Sequence, residues 1–339
     1  MELWTIRIPE TGTAEAQAER AEAAGWDGIA FTDSQNLIGD PFVAMALGAK
    51  VTDRLRFATG VTNVATRHPA ALATVAATVQ EVSGGRVVLG VGRGDTALFH
   101  LGRPPQPVAA FFARVTQLHT YLGGGTVDCD GYPSRLRWLE RARQPRVPID
   151  IAASGPKVIA FAASTVERVT LAIGADAERM AWALAHARNA MGDAGRSDDV
   201  SFGAYVTVGC HPDRGVAREM IRGIVAAFAH FSAMPGSTGA GLAERDRVVV
   251  AEVGDRYDSN LHLVNTAPHA AGLDADFVDR FAVVGPPEEC VRRLNELAAL
   301  GIERFVITGL SFGADAEQAR RADHLVREEV LPALHERWS

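Results

Sequence analysis

Short apolar runs alternate with longer amphipathic segments along almost the whole chain. The short runs are rich in β-branched and aromatic residues, and the longer segments repeat their apolar positions with the period of a helix. Eight runs predict strands, at residues 3–8, 28–32, 56–61, 86–91, 147–153, 168–172, 202–208 and 305–308. Because a predicted helix follows each strand, the strands should be parallel, and the pattern predicts an α/β fold, the (β/α)8 TIM barrel. A doubly wound open sheet is the alternative.

Two segments interrupt this alternation. Residues 123–148 are rich in Gly, Pro and Arg and contain the hairpin signal GTVDCDG, and residues 234–273 are polar, Gly-rich and weakly periodic. Both are predicted to be insertions into a single domain that spans residues 1–339. The second is expected to form a lid over the mouth of the barrel.

The loops after the third and fourth predicted strands carry the first candidate site. Their residues are Gly60, Val61, Thr62 and Asn63 in one loop, and Gly92, Arg93, Gly94 and Asp95 in the other. Ligands of parallel α/β folds bind beside the carboxyl ends of the strands, so a ligand is expected here. Glycine at Gly60 would allow a flat ligand to approach closely, although composition alone favours an ordinary turn.

The segment GVGRGD resembles a dinucleotide-binding loop but differs from it at the sixth position. That position requires a small residue for close helix packing, and here it is Asp95, whose carboxylate would repel a pyrophosphate. A Rossmann-type NAD site is therefore not expected. Asp95 is predicted to contact a ligand, and the alternative is that it only caps the following helix.

The loop after the second predicted strand is also polar. Asp33, Ser34, Gln35 and Asn36 follow one another there, and they are suited either to positioning a ligand or to forming a turn. Farther along the chain, His68 precedes a proline at the start of a helix. The position favours a structural cap, and proton transfer by His68 is the alternative.

The loop after the fifth predicted strand suggests a phosphate site. Ser154, Gly155, Pro156 and Lys157 open a helix, where backbone N–H groups, the helix dipole and an ammonium group would favour an anion. The alternative is an ordinary helix start with a solvated lysine.

Composition narrows the class of protein. The 339 residues are 47% hydrophobic and carry a formal net charge of -7, which does not favour nucleic acid or an anionic membrane as a partner. The three cysteines are far apart, and neither a CxxC motif nor a metal-binding cluster is visible, so no metal is expected. No signal peptide or membrane-spanning run is recognised. A cytoplasmic enzyme acting on a small molecule is the expectation.

Four segments together resemble the luciferase-like family of flavin and deazaflavin oxidoreductases, and within it the F420-dependent methylenetetrahydromethanopterin reductase group. They are TGVTNVATRHPA at 59–70, LGVGRGDTALFHLG at 89–102, ASGPKVIAFAA at 153–163 and FAVVGPPEECVRRLNELAALGIERFVI at 281–307. Each motif alone is weak, but the four occur in the order found in the family and cover most of the chain. The segment 234–273 is the least similar part.

The resemblance implies a barrel with insertions, often dimeric, so a homodimer is expected. It implies coenzyme F420 as the cofactor, with FMN as the alternative, and hydride transfer at C5 of the deazaflavin ring. A cis peptide bond between Gly60 and Val61 would lie behind that ring. The residues implied to contact the ring are Asp33, Asn63 and Asp95, and those implied to hold the cofactor's phosphate are Gly155, Pro156 and Lys157.

Two departures from the family bear on the chemistry. Many F420-dependent dehydrogenases of this family have histidine after the strand-two aspartate, whereas this chain has Ser34. The first strand, LWTIRI, carries Arg7 and lacks the acid of the reductase, so an anionic substrate is suggested. Asp95 is the first candidate for proton handling and Ser34 the second. The alternatives are an FMN-dependent monooxygenase, a non-catalytic flavin-binding protein and, least favoured, a metal-dependent barrel enzyme.

Overall fold

The strands that were predicted from the sequence are present. The computed structural model describes residues 1–10, 12–196, 199–237 and 239–338. Within these residues the strands are β1 Glu2–Arg7, β2 Gly28–Phe31, β3 Arg56–Thr59, β4 Thr62–Asn63, β5 Val87–Gly92, β6 Val127–Cys129, β7 Tyr132–Ser134, β8 Ile149–Ala153, β9 Arg168–Leu171, β10 Ser201–Cys210, β11 Val283–Gly285 and β12 Arg304–Thr308.

Helices follow the strands as the amphipathic segments predicted. They are α1 Ala14–Ala23, α2 Pro41–Lys50, α3 Pro69–Ser83, α4 Thr96–Phe99, α5 Val108–Leu122, α6 Pro156–Thr165, α7 Ala177–Asp193, α8 Arg214–Ala233, α9 Glu244–Arg256, α10 Ala275–Phe281, α11 Pro287–Ala299, α12 Ala316–Leu325 and α13 Leu331–Trp338. Strands β1, β2, β3, β5, β8, β9, β10 and β12 correspond to the eight predicted strands. Their order in the sheet confirms the (β/α)8 barrel and excludes the doubly wound sheet.

The chain forms two compact units. The first unit comprises Ile6–Ala152 and Thr165–Arg168, and the second comprises Met1–Thr5, Ala153–Ser164 and the chain from Val169 onward.

In the first unit, β2, β3, β5 and β8 lie side by side and parallel. Ile29 is opposite Phe57 in the register, and Leu89 is opposite Ile149. All four side chains are fully buried. Strands buried on both faces explain why the sequence shows continuous apolar runs here instead of strict alternation.

The first helices of this unit begin where local chemistry predicts. The carboxylate of Asp40 accepts hydrogen bonds from the amides of Phe42 (2.8 Å) and Val43 (3.3 Å), with Pro41 at the first helical position of α2. His68 caps α3 through Nδ1, which accepts from Ala70 N at 3.2 Å. This contact confirms the structural interpretation of His68.

In the second unit, the first residues of β1 pair with β12, β12 pairs with β10, and β10 pairs with β11, all in parallel. Helix α8 packs on β10 and on α9. Arg179 of α7 is fully buried, and its guanidinium donates to the backbone oxygens of Ile173 (2.8 Å) and Ala240 (3.2 Å) and to Ser232 Oγ (2.9 Å). Burial lowers the pKa of Arg179 to about 10, although nearby carboxylates oppose this effect.

One detail differs from the sequence predictions. Residues 234–273, expected to be a polar and weakly periodic insertion, contain α9, which packs against α8. At the end of the chain, a π-helical turn at Val326–Val330 separates α12 from α13.

The hairpin predicted within 123–148 is confirmed as the antiparallel pair β6 and β7. Asp130 and Gly131, at its turn, both have positive φ, and Gly131 N donates to the carboxylate of Asp128 at 2.6 Å. Asp and Gly are favoured at such positions because they tolerate positive φ.

Candidate active site

The centre of the candidate site in the first unit is the carboxylate of Asp33, just beyond the end of β2. Its side chain is only 3% exposed. Thr62 of β4 donates its hydroxyl to Asp33 Oδ2 at 2.6 Å, and Arg67 Nη2 lies 3.4 Å from both carboxylate oxygens. A buried carboxylate is stable only with such partners. The predicted candidates Asp33 and Thr62 are therefore in direct contact.

Arg67 connects this carboxylate to the start of α2. Its Nη2 donates to Asp40 Oδ2 at 2.9 Å, and its guanidinium carbon lies 5.2 Å from the ring centroid of Phe42. Burial acts to lower the pKa of Arg67, but the carboxylates of Asp33 and Asp40 outweigh this effect and raise it. The guanidinium is therefore held in its charged form between two anions.

The loop between β3 and β4 approaches β5 closely, and the peptide bond between Gly60 and Val61 is cis, as the resemblance implied. A Cβ atom on Gly92 would lie 2.8 Å from a side-chain carbon of Val61. A Cβ atom on Gly90 would lie only 2.0 Å from Thr59 O. Glycine at these two positions of β5 therefore allows the loop to pack closely against the strand.

Asn63 is oriented by backbone hydrogen bonds. Its Oδ1 accepts from Ala65 N at 3.0 Å and from Thr66 N at 2.8 Å. Gly94 has a φ of 78°, which favours glycine, and a Cβ there would lie 3.0 Å from Leu98 Cδ1. Since Oδ1 is used by the backbone, the amide NH2 is the group that Asn63 offers to a ligand.

Asp95 immediately precedes α4, but its side chain makes no capping hydrogen bond to this short helix. The amides of Leu98 and Phe99 bond instead to the backbone oxygen of Asp95. Asp95 therefore occupies the N-cap position of α4 without a side-chain capping bond, and its contact with a ligand stays a prediction. Burial lowers the pKa of the neighbouring Arg93, and the carboxylate of Asp95 opposes that shift, so the two charges interact.

Ser34 and Gln35 complete the loop after β2. The hydroxyl of Ser34 is shielded from solvent and has no hydrogen-bond partner among the described residues. Gln35 Nε2 donates to Ala97 O at 2.8 Å, which connects the β2 loop to α4. A buried hydroxyl without a partner is costly, and a bound ligand would supply one.

The segment predicted to bind phosphate belongs to the second unit. Ser154 Oγ lies 2.9 Å from Ser237 Oγ and 3.3 Å from Phe231 O, and Lys157 is exposed in the first turn of α6. A Cβ atom on Gly155 would lie 2.4 Å from Gly236 O. Only glycine fits here without displacing the neighbouring backbone.

The structure thus brings the loops after β2, β3 and β5 together in the first unit, through Asp33, Thr62, Asn63 and the β5 glycines. Arg7, at the end of β1, is half-buried, and its Nη1 donates to Ile6 O at 2.9 Å.

The sequence interpretation missed Arg67 as a site residue. The sequence contained one signal for Arg67. A buried aspartate requires a cation as partner, and Arg67 is the cation in the loop that follows Thr62.

Comparison with known proteins identifies the family. The model of the luciferase-like monooxygenase family matches residues 7–304. A 5,10-methylenetetrahydromethanopterin reductase from Methanolobus tindarius is 27% identical over 321 residues, covering 93% of this chain and 94% of its own. An F420-dependent glucose-6-phosphate dehydrogenase from Microbacterium testaceum is 28% identical over 304 residues, covering 87% and 82%.

A solved structure has the same fold over nearly the whole chain. The coenzyme F420-dependent tetrahydromethanopterin reductase from Methanopyrus kandleri superposes with a TM-score of 0.75 at 22% identity, covering 98% of this chain and 99% of its own. The chain belongs to the luciferase-like monooxygenase family and is an oxidoreductase. No helix in the described part of the chain is long and apolar enough to cross a membrane.

Proposed function

We propose that the protein is an F420-dependent oxidoreductase that transfers a hydride between C5 of the deazaflavin and a small organic substrate. The observation that carries the proposal is the similarity to the reductase and the dehydrogenase described above over more than four-fifths of the chain. The two relatives are named for different substrates. The similarity therefore supports the assignment of F420 as the cofactor more strongly than it supports the assignment of any particular substrate.

The polar groups of the first unit suit the edge of a deazaflavin ring. Asp33 and Asp95 supply hydrogen-bond acceptors, Asn63 supplies a donor, and the hydroxyl of Ser34 is without a partner among the described residues. By family resemblance, the ring would lie against Gly60 and Val61, and we propose that Gly92 and Gly94 lie beside it. When bound, the deazaflavin supplies hydride chemistry at C5.

Proton handling is assigned to Asp95 first and to Ser34 second. The carboxylate of Asp95 is not used in helix capping, and it interacts electrostatically with Arg93. A carboxylate close to a cation is suited to hold a proton or release it. Ser34 would orient the accepting atom of the substrate, because its hydroxyl both donates and accepts.

The residues of the second unit that we propose for phosphate binding are Ser154, Gly155, Pro156 and Lys157. Gly155 is in tight contact with the 236–237 backbone, so the loop has a defined conformation, and Lys157 supplies a positive charge in the first turn of α6. A helix start with an ammonium group favours a phosphate monoester or diester. Arg7 is proposed to attract an anionic group of the substrate.

An FMN-dependent monooxygenase is the second candidate, because the family to which the chain belongs includes such enzymes by name. A non-catalytic flavin-binding protein is the third. We also expect a homodimer, on the family resemblance alone.

Anaerobic turnover separates these functions. Protein is mixed with reduced F420 and a panel of ketones, aldehydes and imines, and the return of the oxidised deazaflavin is followed by its absorbance. The proposal predicts oxidation of reduced F420 by at least one class without oxygen. Oxygen uptake with reduced FMN and no reaction with reduced F420 would support the monooxygenase instead.

A further inference from the structure

We infer that Arg67 is a positioning residue for the cofactor, which acts by fixing the orientation of the Asp33 carboxylate that would contact the edge of the ring. The inference rests on the proposed function, since it concerns the ring that Asp33 would contact. It adds a residue that neither the sequence motifs nor the family resemblance assigned.

The two oxygens of Asp33 are occupied unequally. Oδ2 accepts a short hydrogen bond of 2.6 Å from Thr62, whereas Oδ1 has, among the described residues, only the contact of 3.4 Å with Arg67 Nη2. A separation of 3.4 Å is too long for a strong hydrogen bond, and a carboxylate oxygen has two lone pairs. Oδ1 therefore keeps the capacity to accept a short hydrogen bond from a ligand.

Arg67 is itself held by a second carboxylate and by an aromatic ring. Its short contact is with Asp40 Oδ2 at 2.9 Å, and its guanidinium lies over the ring of Phe42. The other oxygen of Asp40 caps α2, so the anion that holds Arg67 is fixed to the start of a helix. Arg67 is thus a rigid cation placed beside Asp33, and its side chain is only 27% exposed.

This arrangement determines what Asp33 offers to a ligand. The Arg67 guanidinium and the Thr62 hydroxyl contact the carboxylate together, and the Thr62 hydrogen bond restricts its rotation. The oriented Oδ1 is an acceptor for an N–H or O–H group on the edge of a flat heterocycle. Without Arg67, the buried carboxylate would lose the cation beside it and one of the two groups that hold it in this orientation.

A double-mutant cycle on cofactor affinity tests the inference. Oxidised F420 is titrated by fluorescence into the wild type, Asp33→Asn, Arg67→Met and the double variant. Each single substitution should weaken binding by about tenfold, the usual effect of a lost charge-assisted hydrogen bond. The double variant should bind within about threefold of Asp33→Asn, because Arg67 has nothing to act on once Asp33 is neutral.

Further variants separate this role from a structural one. Arg67→Lys should restore most of the affinity, since Arg67 contacts both carboxylates through Nη2 alone and a point charge is sufficient. Asp40→Asn keeps a side-chain cap on α2 and should weaken binding less than Arg67→Met does. Arg20→Met, at an exposed position of α1, is the control for loss of one positive charge.

Multiplied losses in the double variant, about a hundredfold in all, would overturn the inference, because they would mean that Arg67 and Asp33 act independently. An Arg67→Met variant with wild-type affinity for F420 would also overturn it and would leave the proposed function intact. A wild-type protein that binds neither F420 nor FMN would refute the proposed function, and the inference with it.

Discussion

Thr62 donates its hydroxyl to the carboxylate of Asp33 at 2.6 Å, and both residues are buried. This bond fixes the carboxylate at the candidate site. Thr62→Val keeps the shape of the side chain but removes the donor, so F420 affinity should fall several-fold, as expected for one lost hydrogen bond. Thr62→Ser retains the hydroxyl and should bind more like wild type. Equal affinities for the Val and Ser variants, measured by fluorescence titration, would show that the bond has no part in binding.

Asp95 is predicted to contact the ligand and not to stabilise helix α4. Because its side chain makes no capping hydrogen bond, Asp95→Ala should lower the free energy of unfolding by less than the loss of a true side-chain cap, which costs about 1 kcal/mol. The same variant should lose F420 affinity or turnover. Thermal unfolding and F420 titration on one preparation distinguish the roles. A destabilised variant with unchanged binding and turnover would mean that Asp95 is only structural.

Lys157 is expected to contribute to phosphate binding. Lys157→Ala should weaken F420 binding several-fold, and the dependence of the affinity on salt should become shallower, because an exposed charge acts over a distance that salt screens. The chain offers a matched control, since Lys50 is its only other lysine and is also exposed. Lys50→Ala should bind as wild type does. Identical affinities for the two variants would remove Lys157 from the site.

His269 should make the stability of the protein depend on pH. It is 2% exposed, its Nδ1 accepts from Asp258 N, and burial lowers its pKa, although Asp258 opposes the shift. The unfolded chain, with an ordinary histidine pKa of about 6.5, therefore binds more protons just below that pH. Stability should fall as the pH decreases below about 6.5, and His269→Gln should reduce this slope.

Chemical denaturation at several pH values measures the effect of His269. His324→Gln, at an exposed position of α12, is the control and should retain the wild-type slope. An unchanged slope in His269→Gln would show that His269 does not carry the pH dependence.

Much of the fold could be predicted because buried parallel strands have a strong sequence signature. The runs at β3 and β5 are short and apolar, with a glycine directly after β3 and at the last position of β5, and both were located correctly. Helix α9 was missed because its sequence, ERDRVVVAEVGDR, places three valines in succession, and β-branched residues are poor indicators of a helix. The packing of α9 against α8 is a tertiary interaction, so it cannot be predicted from the helix propensity of the segment.

The candidate site was predictable only in part. Asp33, Thr62 and Asn63 could be predicted because they follow strands, and the loops at the carboxyl ends of parallel strands lie close together. The pairing of Arg67 with Asp33 joins residues 34 positions apart and depends on the path of the loop. Whether Asp95 caps α4 depends on the direction of one side chain, which periodicity does not specify.

The central claim is that this chain binds the deazaflavin F420, and a paired titration tests it most directly. Oxidised F420 and FMN are each titrated into wild-type protein, and binding is followed through the fluorescence of the cofactor. The account predicts saturable binding of F420 that is at least about tenfold tighter than that of FMN, with the difference reduced in Lys157→Ala and Arg67→Met. Tighter binding of FMN, or no binding of F420, would contradict it.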